Sequence, residues 1–198
     1  LKTKKQKHKK TDFQNIKKKR YSELKMTKQE QLIEQKVSIE TIYIAGGCLW
    51  GVQEFLKHIP GVLDTQAGRA NGFTKSTKTA YDGYAECVKT SFDSKVVSIE
   101  DLIHYCIEII DPYSINQQGN DKGEKYRTGI YSDNQNKLLQ AKKCIEELEQ
   151  TLNHKNKTIK KIAIEVLPLT NFIPSDAEHQ DRLTLHPHDY TYCHIPLD

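Results

Sequence analysis

A buried strand that breaks through two glycines into a helix is the feature that most constrains this chain. Residues 41–45 read Thr-Ile-Tyr-Ile-Ala, a β-branched and aromatic run that predicts a strand. Gly46 and Gly47 stop the strand, and residues 50–56 carry apolar side chains at roughly helical spacing. The sequence therefore predicts a tight strand-to-helix turn with Cys48 at its centre.

The predicted position of Cys48 suits a nucleophile. The amides of the first helical turn and the positive end of the helix dipole can lower the pKa of a thiol placed there. The two glycines allow a turn with positive φ and leave the sulfur sterically open. On this segment alone, a buried structural cysteine is the alternative. Trp50 could floor a small apolar pocket, although a lone tryptophan is often a core residue.

The remaining elements mix strands and helices without strict βαβ repetition. Strands are predicted at residues 62–67, 85–92, 126–131 and 159–167, and amphipathic helices at 99–110 and 134–152. This order favours the α+β class. A length of 198 residues suits one catalytic domain, residues 39–198, preceded by an extension, residues 1–38.

Charge is divided unevenly between these two parts. Residues 1–38 hold 13 basic and 4 acidic side chains (+9), against 17 and 22 in residues 39–198 (−5). Crowded lysines predict that residues 1–25 are disordered. The acidic remainder argues against nucleic-acid binding. The sequence has no apolar run long enough for a membrane span or a signal, so the cytoplasm is the expected compartment and no membrane contact is expected.

The cysteines do not form a recognisable framework. Their number is odd and their spacing irregular, which fits neither a disulfide scaffold nor a two-pair zinc site: Cys48, Cys87, Cys106, Cys144, Cys193. Imidazole and thiolate groups near the C-terminus leave a zinc site open as a rival interpretation, although the usual paired spacings are missing: His179, His186, His188, Cys193, His194.

A carboxylate on the strand predicted at residues 85–92 is a candidate acid. Tyr84, Glu86 and Val88 share one face of that strand, while Cys87 points to the other face. Apolar neighbours favour the protonated form of a carboxyl group, which suits Glu86 to general acid catalysis. A solvated strand glutamate is the alternative.

A long polar loop, residues 114–123, precedes the strand that begins near Tyr126. Loops of this length inside a compact domain are often functional. Asp121 could orient a hydroxyl group and Tyr126 could donate one. A turn former and a strand aromatic are the alternatives for these two residues.

Three motifs occur in order along the chain. Residues 47–51 read Gly-Cys-Leu-Trp-Gly, residues 118–131 begin Gln-Gly-Asn-Asp and continue into Tyr-Arg-Thr, and His179-Gln180 is followed by Tyr-Cys-His-Ile at residues 192–195. Their order and separation resemble the type A peptide-methionine (S)-sulfoxide reductases, over about residues 41–197. The resemblance implies an α+β two-layer sandwich with a mixed sheet, flanking helices and a ferredoxin-like core.

The resemblance also implies roles for particular residues. Cys48 would attack the sulfur of methionine-S-sulfoxide, free or in proteins, while Glu86 protonates the departing oxygen. The remaining groups would polarise the sulfoxide, position it, or form the pocket for its methyl group: Tyr126 and Tyr81, Asp121, Trp50 and Leu49.

A second thiol would complete the cycle. The resemblance implies that Cys193, in a mobile tail from about residue 185, condenses with the Cys48 sulfenic acid to form a disulfide. Thioredoxin or a similar dithiol would then reduce that disulfide. No metal or organic cofactor is required, and a monomer is the default expectation.

Several positions depart from the family pattern. Leu49 replaces an aromatic residue, Tyr84 replaces a histidine, Arg182 replaces a tyrosine, and the segment 69–82 is shorter than usual. These changes leave a second hypothesis open, a diverged member that binds oxidised methionine or a partner with little or no turnover.

Overall fold

The computed structural model describes residues 37–76, 78, 80–192 and 195. Residues 1–36, which include the segment 1–25 that is predicted to be disordered, lie outside the described residues, and so does Cys193. The described chain forms a six-stranded mixed sheet with helices packed on one face. This architecture confirms the predicted α+β class.

The elements have the following bounds. The strands are β1 (Ile39–Gly46), β2 (Val62–Ala70), β3 (Ala85–Asp93), β4 (Gln117–Gln118), β5 (Asp121–Lys122), β6 (Thr128–Ser132), β7 (Glu165–Pro168) and β8 (Phe172–Pro174). The helices are α1 (Leu49–Lys57), α2 (Ile99–Ile109), α3 (Gln135–Asn156) and α4 (Arg182–Leu185), with 3-10 turns at Glu124–Tyr126, Ala177–His179 and Pro187–Tyr192.

The large sheet has the strand order β7-β6-β1-β3-β2-β8. Strands β6 and β7 pair in parallel, and every other pair in this sheet is antiparallel. The predicted strand at 159–167 is too long at its start, because the Asn153 side chain binds the backbone of Lys160 and leaves Ile159 fully exposed. Strands β4 and β5 form a separate short hairpin.

The core lies between the sheet and the first three helices. Ile44 of β1 and Val88 of β3 are buried there against residues of α1, α2 and α3. Cys87 and Tyr131 belong to a smaller cluster on the opposite face of the sheet. The predicted facing of Val88 and Cys87 is therefore confirmed. None of the helices within residues 37–192 combines the length and the apolar character that a bilayer span requires.

Strand pairing determines where the functional side chains meet. Strand β1 is antiparallel to both neighbours, with Ile44 opposite Val88 of β3 and Gly46 opposite Thr128 of β6. The C-terminal end of β1 therefore lies beside the N-terminal ends of β3 and β6. Cys48, which follows β1, is brought next to Glu86 in this way, and next to the residues that precede β6.

The buried thiols give the first prediction. Burial raises the pKa of Cys106 to about 12, and burial together with nearby carboxylates raises that of Cys144 to about 11. Burial also raises the pKa of Cys87. Because the thiolate is the reactive form, we expect iodoacetamide at mildly alkaline pH to leave these three cysteines unmodified in the folded chain and to modify them in denaturant. Peptide mass spectrometry measures this, and equal labelling in both states would contradict the fold.

Candidate active site

A cavity of about 270 Å³ opens where β1, β3 and the start of β6 converge. It is bounded by side chains from the strand ends, the first turn of α1 and two loops. Its lining residues are Cys48, Leu49, Trp50, Arg69, Tyr84, Glu86, Asp121, Lys125, Tyr126, Ser175 and His179. The structure thus brings together six of the eight sequence-predicted site residues. Tyr81 does not line the cavity, and Cys193 lies outside the described residues.

Cys48 is the N-cap residue of α1, with φ −62° and ψ 122°. Its carbonyl oxygen accepts the first helical hydrogen bond from the Val52 amide at 3.2 Å. Gly47 has φ +95°, a conformation that favours glycine, as predicted. A Cβ at Gly46 would lie 3.1 Å from the Val52 side chain, so this glycine allows close packing of strand and helix. The turn therefore presents Cys48 at the cavity and at the positive end of the helix.

Glu86 has two polar partners. The Leu49 amide donates to Oε2 of Glu86 at 3.1 Å, and the Lys125 ammonium lies 3.0 Å from Oε1. The strand pattern predicted apolar surroundings for Glu86, and these two polar donors take their place. The 3-10 turn before β6 brings Lys125 to the carboxyl group. The Glu86 side chain is only 12% exposed. Its carboxyl group is held at the backbone of Leu49, the residue that follows Cys48.

Tyr126 and Asp121 form the wall contributed by the polar loop. Burial is the main cause that raises the pKa of Tyr126 above its ordinary value, and the charge of Glu86 adds to it. The phenol is therefore protonated at neutral pH and can donate a hydrogen bond. The Lys125 ammonium lies 4.4 Å from the centroid of the Tyr126 ring.

Trp50 is held by groups from the C-terminal segment. Its indole N–H donates to Nδ1 of His179 at 3.1 Å, and the two rings stack at 5.8 Å. The Arg182 guanidinium lies 5.2 Å from the Trp50 ring and pairs with Asp189 at 2.6 Å. Trp50 and the buried Leu49 thus form a fixed apolar part of the cavity wall.

The rival zinc interpretation gains no support from this geometry. One ring nitrogen of His179 already accepts the Trp50 N–H. Within the described ranges, no three His, Cys, Asp or Glu side chains are grouped so that they could hold a metal ion. Of the residues named for that site, Cys193 and His194 lie outside the described residues.

Tyr81 is placed away from the cavity wall. Its hydroxyl donates to Glu124 at 3.1 Å, and its side chain is 45% exposed. The short loop between β2 and β3 folds back on itself, since Asp82 accepts hydrogen bonds from Thr74. The aromatic that reaches the cavity from this region is Tyr84, whose ring packs edge-on against Tyr81 at 5.2 Å.

Sequence reasoning missed three groups that line the cavity, Arg69, Lys125 and Ser175. It also missed Arg127, whose guanidinium donates to the carbonyls of Gly83 and Tyr84 and pairs with Glu165 at 2.8 Å. Arg127 thereby anchors the start of β3, where Glu86 lies. Its place directly after Tyr126 in the matched motif was the one available signal.

The fold and the site define a thiol-based redox enzyme. A cysteine at a helix N-terminus, an adjacent carboxyl group and a phenol surround a cavity that suits a small group. This arrangement can offer a nucleophile, a proton donor and a hydrogen-bond donor to two bonded atoms of one substrate.

Comparison with known proteins places the chain within this class. The family model described as peptide methionine sulfoxide reductase matches residues 40–198. Peptide methionine sulfoxide reductase MsrA of Clostridium perfringens is 40% identical over 167 residues, which cover 81% of this chain and all of that protein.

Two solved structures are similar to this chain over most of its length. Methionine sulfoxide reductase A of Corynebacterium diphtheriae is 30% identical, with a TM-score of 0.68, and the match covers 75% of this chain and 76% of that one. Mxr1 of Saccharomyces cerevisiae in reduced form is 26% identical, with a TM-score of 0.70 and coverages of 82% and 97%.

The chain belongs to the peptide methionine sulfoxide reductase family. It is an oxidoreductase that reduces methionine sulfoxide through thiol chemistry. The family and the fold predicted from the sequence are both confirmed.

Proposed function

We propose that the chain reduces methionine-S-sulfoxide, free and in proteins, with Cys48 as nucleophile and Glu86 as general acid. One observation carries this assignment. The Glu86 carboxyl group accepts a hydrogen bond from the Leu49 amide at 3.1 Å, and Leu49 directly follows Cys48 in the same cavity. A nucleophile and an acid held this close can act on the sulfur and the oxygen of the same sulfoxide.

The reaction balances without a cofactor. The Cys48 sulfur bonds to the sulfoxide sulfur, and the S–O bond breaks as the oxygen takes a proton from Glu86. Transfer of that oxygen, now as an OH group, to the Cys48 sulfur breaks the new S–S bond, which releases methionine and leaves a sulfenic acid. The Cys48 sulfur loses two electrons, and the methionine sulfur gains them. The sulfenic acid and methionine together hold the same number of protons as the original thiol and sulfoxide.

The cavity wall supplies the remaining contacts. The Tyr126 hydroxyl donates a hydrogen bond to the sulfoxide oxygen, which develops negative charge as the S–O bond weakens. Asp121 positions the substrate or water, and Trp50 with Leu49 packs against the S-methyl group. For Tyr81 the role of polariser stays a prediction from the family resemblance, and a movement of its loop would be needed.

A second thiol regenerates the enzyme. Cys193 condenses with the Cys48 sulfenic acid, which releases water and forms a disulfide. A thioredoxin then reduces this disulfide by thiol exchange. Yeast Mxr1 has also been solved in complex with Trx2, which is consistent with such a partner.

The recycling step is tested by Cys193→Ser. We expect this variant to form one methionine per chain from a methionine-S-sulfoxide peptide and then to stop when thioredoxin is the reductant, since no disulfide can form. Dithiothreitol restores turnover because it attacks the sulfenic acid directly. Chromatography of the peptide measures both results. Full thioredoxin-driven turnover by Cys193→Ser would refute this recycling route.

The same assay distinguishes the catalytic hypothesis from the second hypothesis, a diverged family member that binds oxidised methionine or a partner with little or no turnover. A native chain that binds the oxidised peptide but forms no methionine with either reductant would favour that hypothesis. The intact cavity with Cys48, Glu86 and Tyr126 supports the catalytic interpretation instead.

The proposed compartment is the reducing cytoplasm. Cys87, Cys106 and Cys144 are all free thiols in the described structure, as is usual where dithiol systems keep cysteines reduced. Fractionation of the source cells tests this assignment, and recovery of the chain outside the cytoplasmic fraction would contradict it.

A further inference from the structure

Lys125 is a charged group that contacts both the acid and the phenol of the site. Its ammonium lies 3.0 Å from Oε1 of Glu86 and 4.4 Å from the centroid of the Tyr126 ring. The other oxygen of Glu86 accepts from the Leu49 amide at 3.1 Å. A continuous chain of contacts therefore runs from Lys125 through Glu86 to the residue that follows Cys48.

The Lys125 ammonium is charged at neutral pH. Burial alone would lower its pKa, but hydrogen bonding to Tyr126 and the charge of Glu86 outweigh that effect and raise the pKa above the ordinary lysine value. The ion pair is partly shielded from water, since the Lys125 side chain is 36% exposed and that of Glu86 12%. Solvent screening therefore weakens this attraction less than it weakens that of a surface pair.

We propose that Lys125 is a positioning residue for sulfoxide reduction, whose ammonium group holds the Glu86 carboxyl group beside Cys48 and sets the pH range in which the site works. The inference rests on the proposed function, and it adds a residue to which the family resemblance gave no role.

The charge of Lys125 acts on the groups that exchange protons in the reaction, because its ammonium lies 3.0 Å from the Glu86 carboxyl group, which shares the cavity with Cys48. A nearby positive charge favours the deprotonated forms of acidic groups. Removing that charge is therefore expected to shift the pH dependence of the reaction upward. The other titratable and charged groups that face this pair across the cavity are Arg69, Tyr84, Asp121, Tyr126 and His179.

The test compares the pH profiles of kcat/KM for a methionine-S-sulfoxide peptide with dithiothreitol. Lys125→Gln is expected to move both limbs of the profile upward by about one pH unit, at the lower end of the effect of a close opposite charge. Lys125→Arg keeps the charge and the native profile. Lys137→Gln is the matched control, because Lys137 forms a 3.0 Å ion pair with Glu40 but does not line the cavity.

A lowered rate with an unmoved profile in Lys125→Gln would show a merely structural role and overturn the proposal. If that variant fails to fold by circular dichroism, Lys125→Met replaces it. A second measurement does not depend on turnover: the pH dependence of Cys48 alkylation by iodoacetamide in the Cys193→Ser background should move upward in the same way. An inactive native chain would refute the proposed function, whereas an unmoved alkylation profile would refute the role of Lys125.

Discussion

Replacing Cys48 with serine is expected to lower kcat/KM for methionine-S-sulfoxide by about 10⁴-fold or more, the size of effect seen when a covalent nucleophile is lost. Sulfur at this position must accept the sulfoxide oxygen and give up two electrons, and a serine oxygen cannot do so. The substitution is nearly isosteric at an N-cap position that favours serine, so the fold should be retained. Chromatographic detection of methionine with dithiothreitol as reductant measures the loss.

The matched control is Cys144→Ala. Cys144 is buried in α3 and does not line the cavity, and alanine is well tolerated in a helix. Its kcat/KM should stay near the native value. Substantial turnover in Cys48→Ser, with loss in Cys144→Ala, would mean that another thiol is the nucleophile.

Glu86→Gln is expected to lower kcat/KM by about 10³-fold, within the usual range for loss of a general acid. Glutamine keeps the size of the side chain and an oxygen to accept from the Leu49 amide. It cannot transfer a proton to the departing oxygen, so S–O cleavage slows while binding of the substrate is little changed. The decrease should therefore appear in kcat rather than in KM, measured by steady-state assay.

Glu40→Gln is the control for that change. Glu40 also pairs with a lysine at 3.0 Å, but it lies outside the cavity lining. Native kinetics in Glu86→Gln would assign proton donation to another group, and the Tyr126 hydroxyl would then be the candidate.

Local patterns predicted the part of the site that lies on one stretch of chain. The β-branched run before Gly46 and the apolar stripe after Cys48 predicted β1, the turn and α1, because strand and helix periodicities are local properties. Side-chain alternation along β3 likewise predicted that Glu86 and Cys87 face opposite ways. These features depend on residues within a few positions of one another.

Contacts between distant segments were not predictable in this way. The Lys125–Glu86 ion pair and the hydrogen bond from Trp50 to His179 join residues that are far apart in the sequence. Both contacts depend on the order of the strands in the sheet. Tyr81 shows the same limit, since its register depends on how a shortened loop folds over β3. The spacing of residues along the chain does not predict which distant side chains come into contact.

The most direct test of the account is to locate the oxygen after a single turnover. The Cys193→Ser variant is mixed with one equivalent of a methionine-S-sulfoxide peptide and then with dimedone, which traps sulfenic acids, and the digest is examined by mass spectrometry. We expect one methionine per chain and an adduct on the peptide that contains Cys48. Methionine formed without that adduct, or with an adduct on Cys87, Cys106 or Cys144 instead, would contradict the assignment of Cys48 as the residue that receives the oxygen.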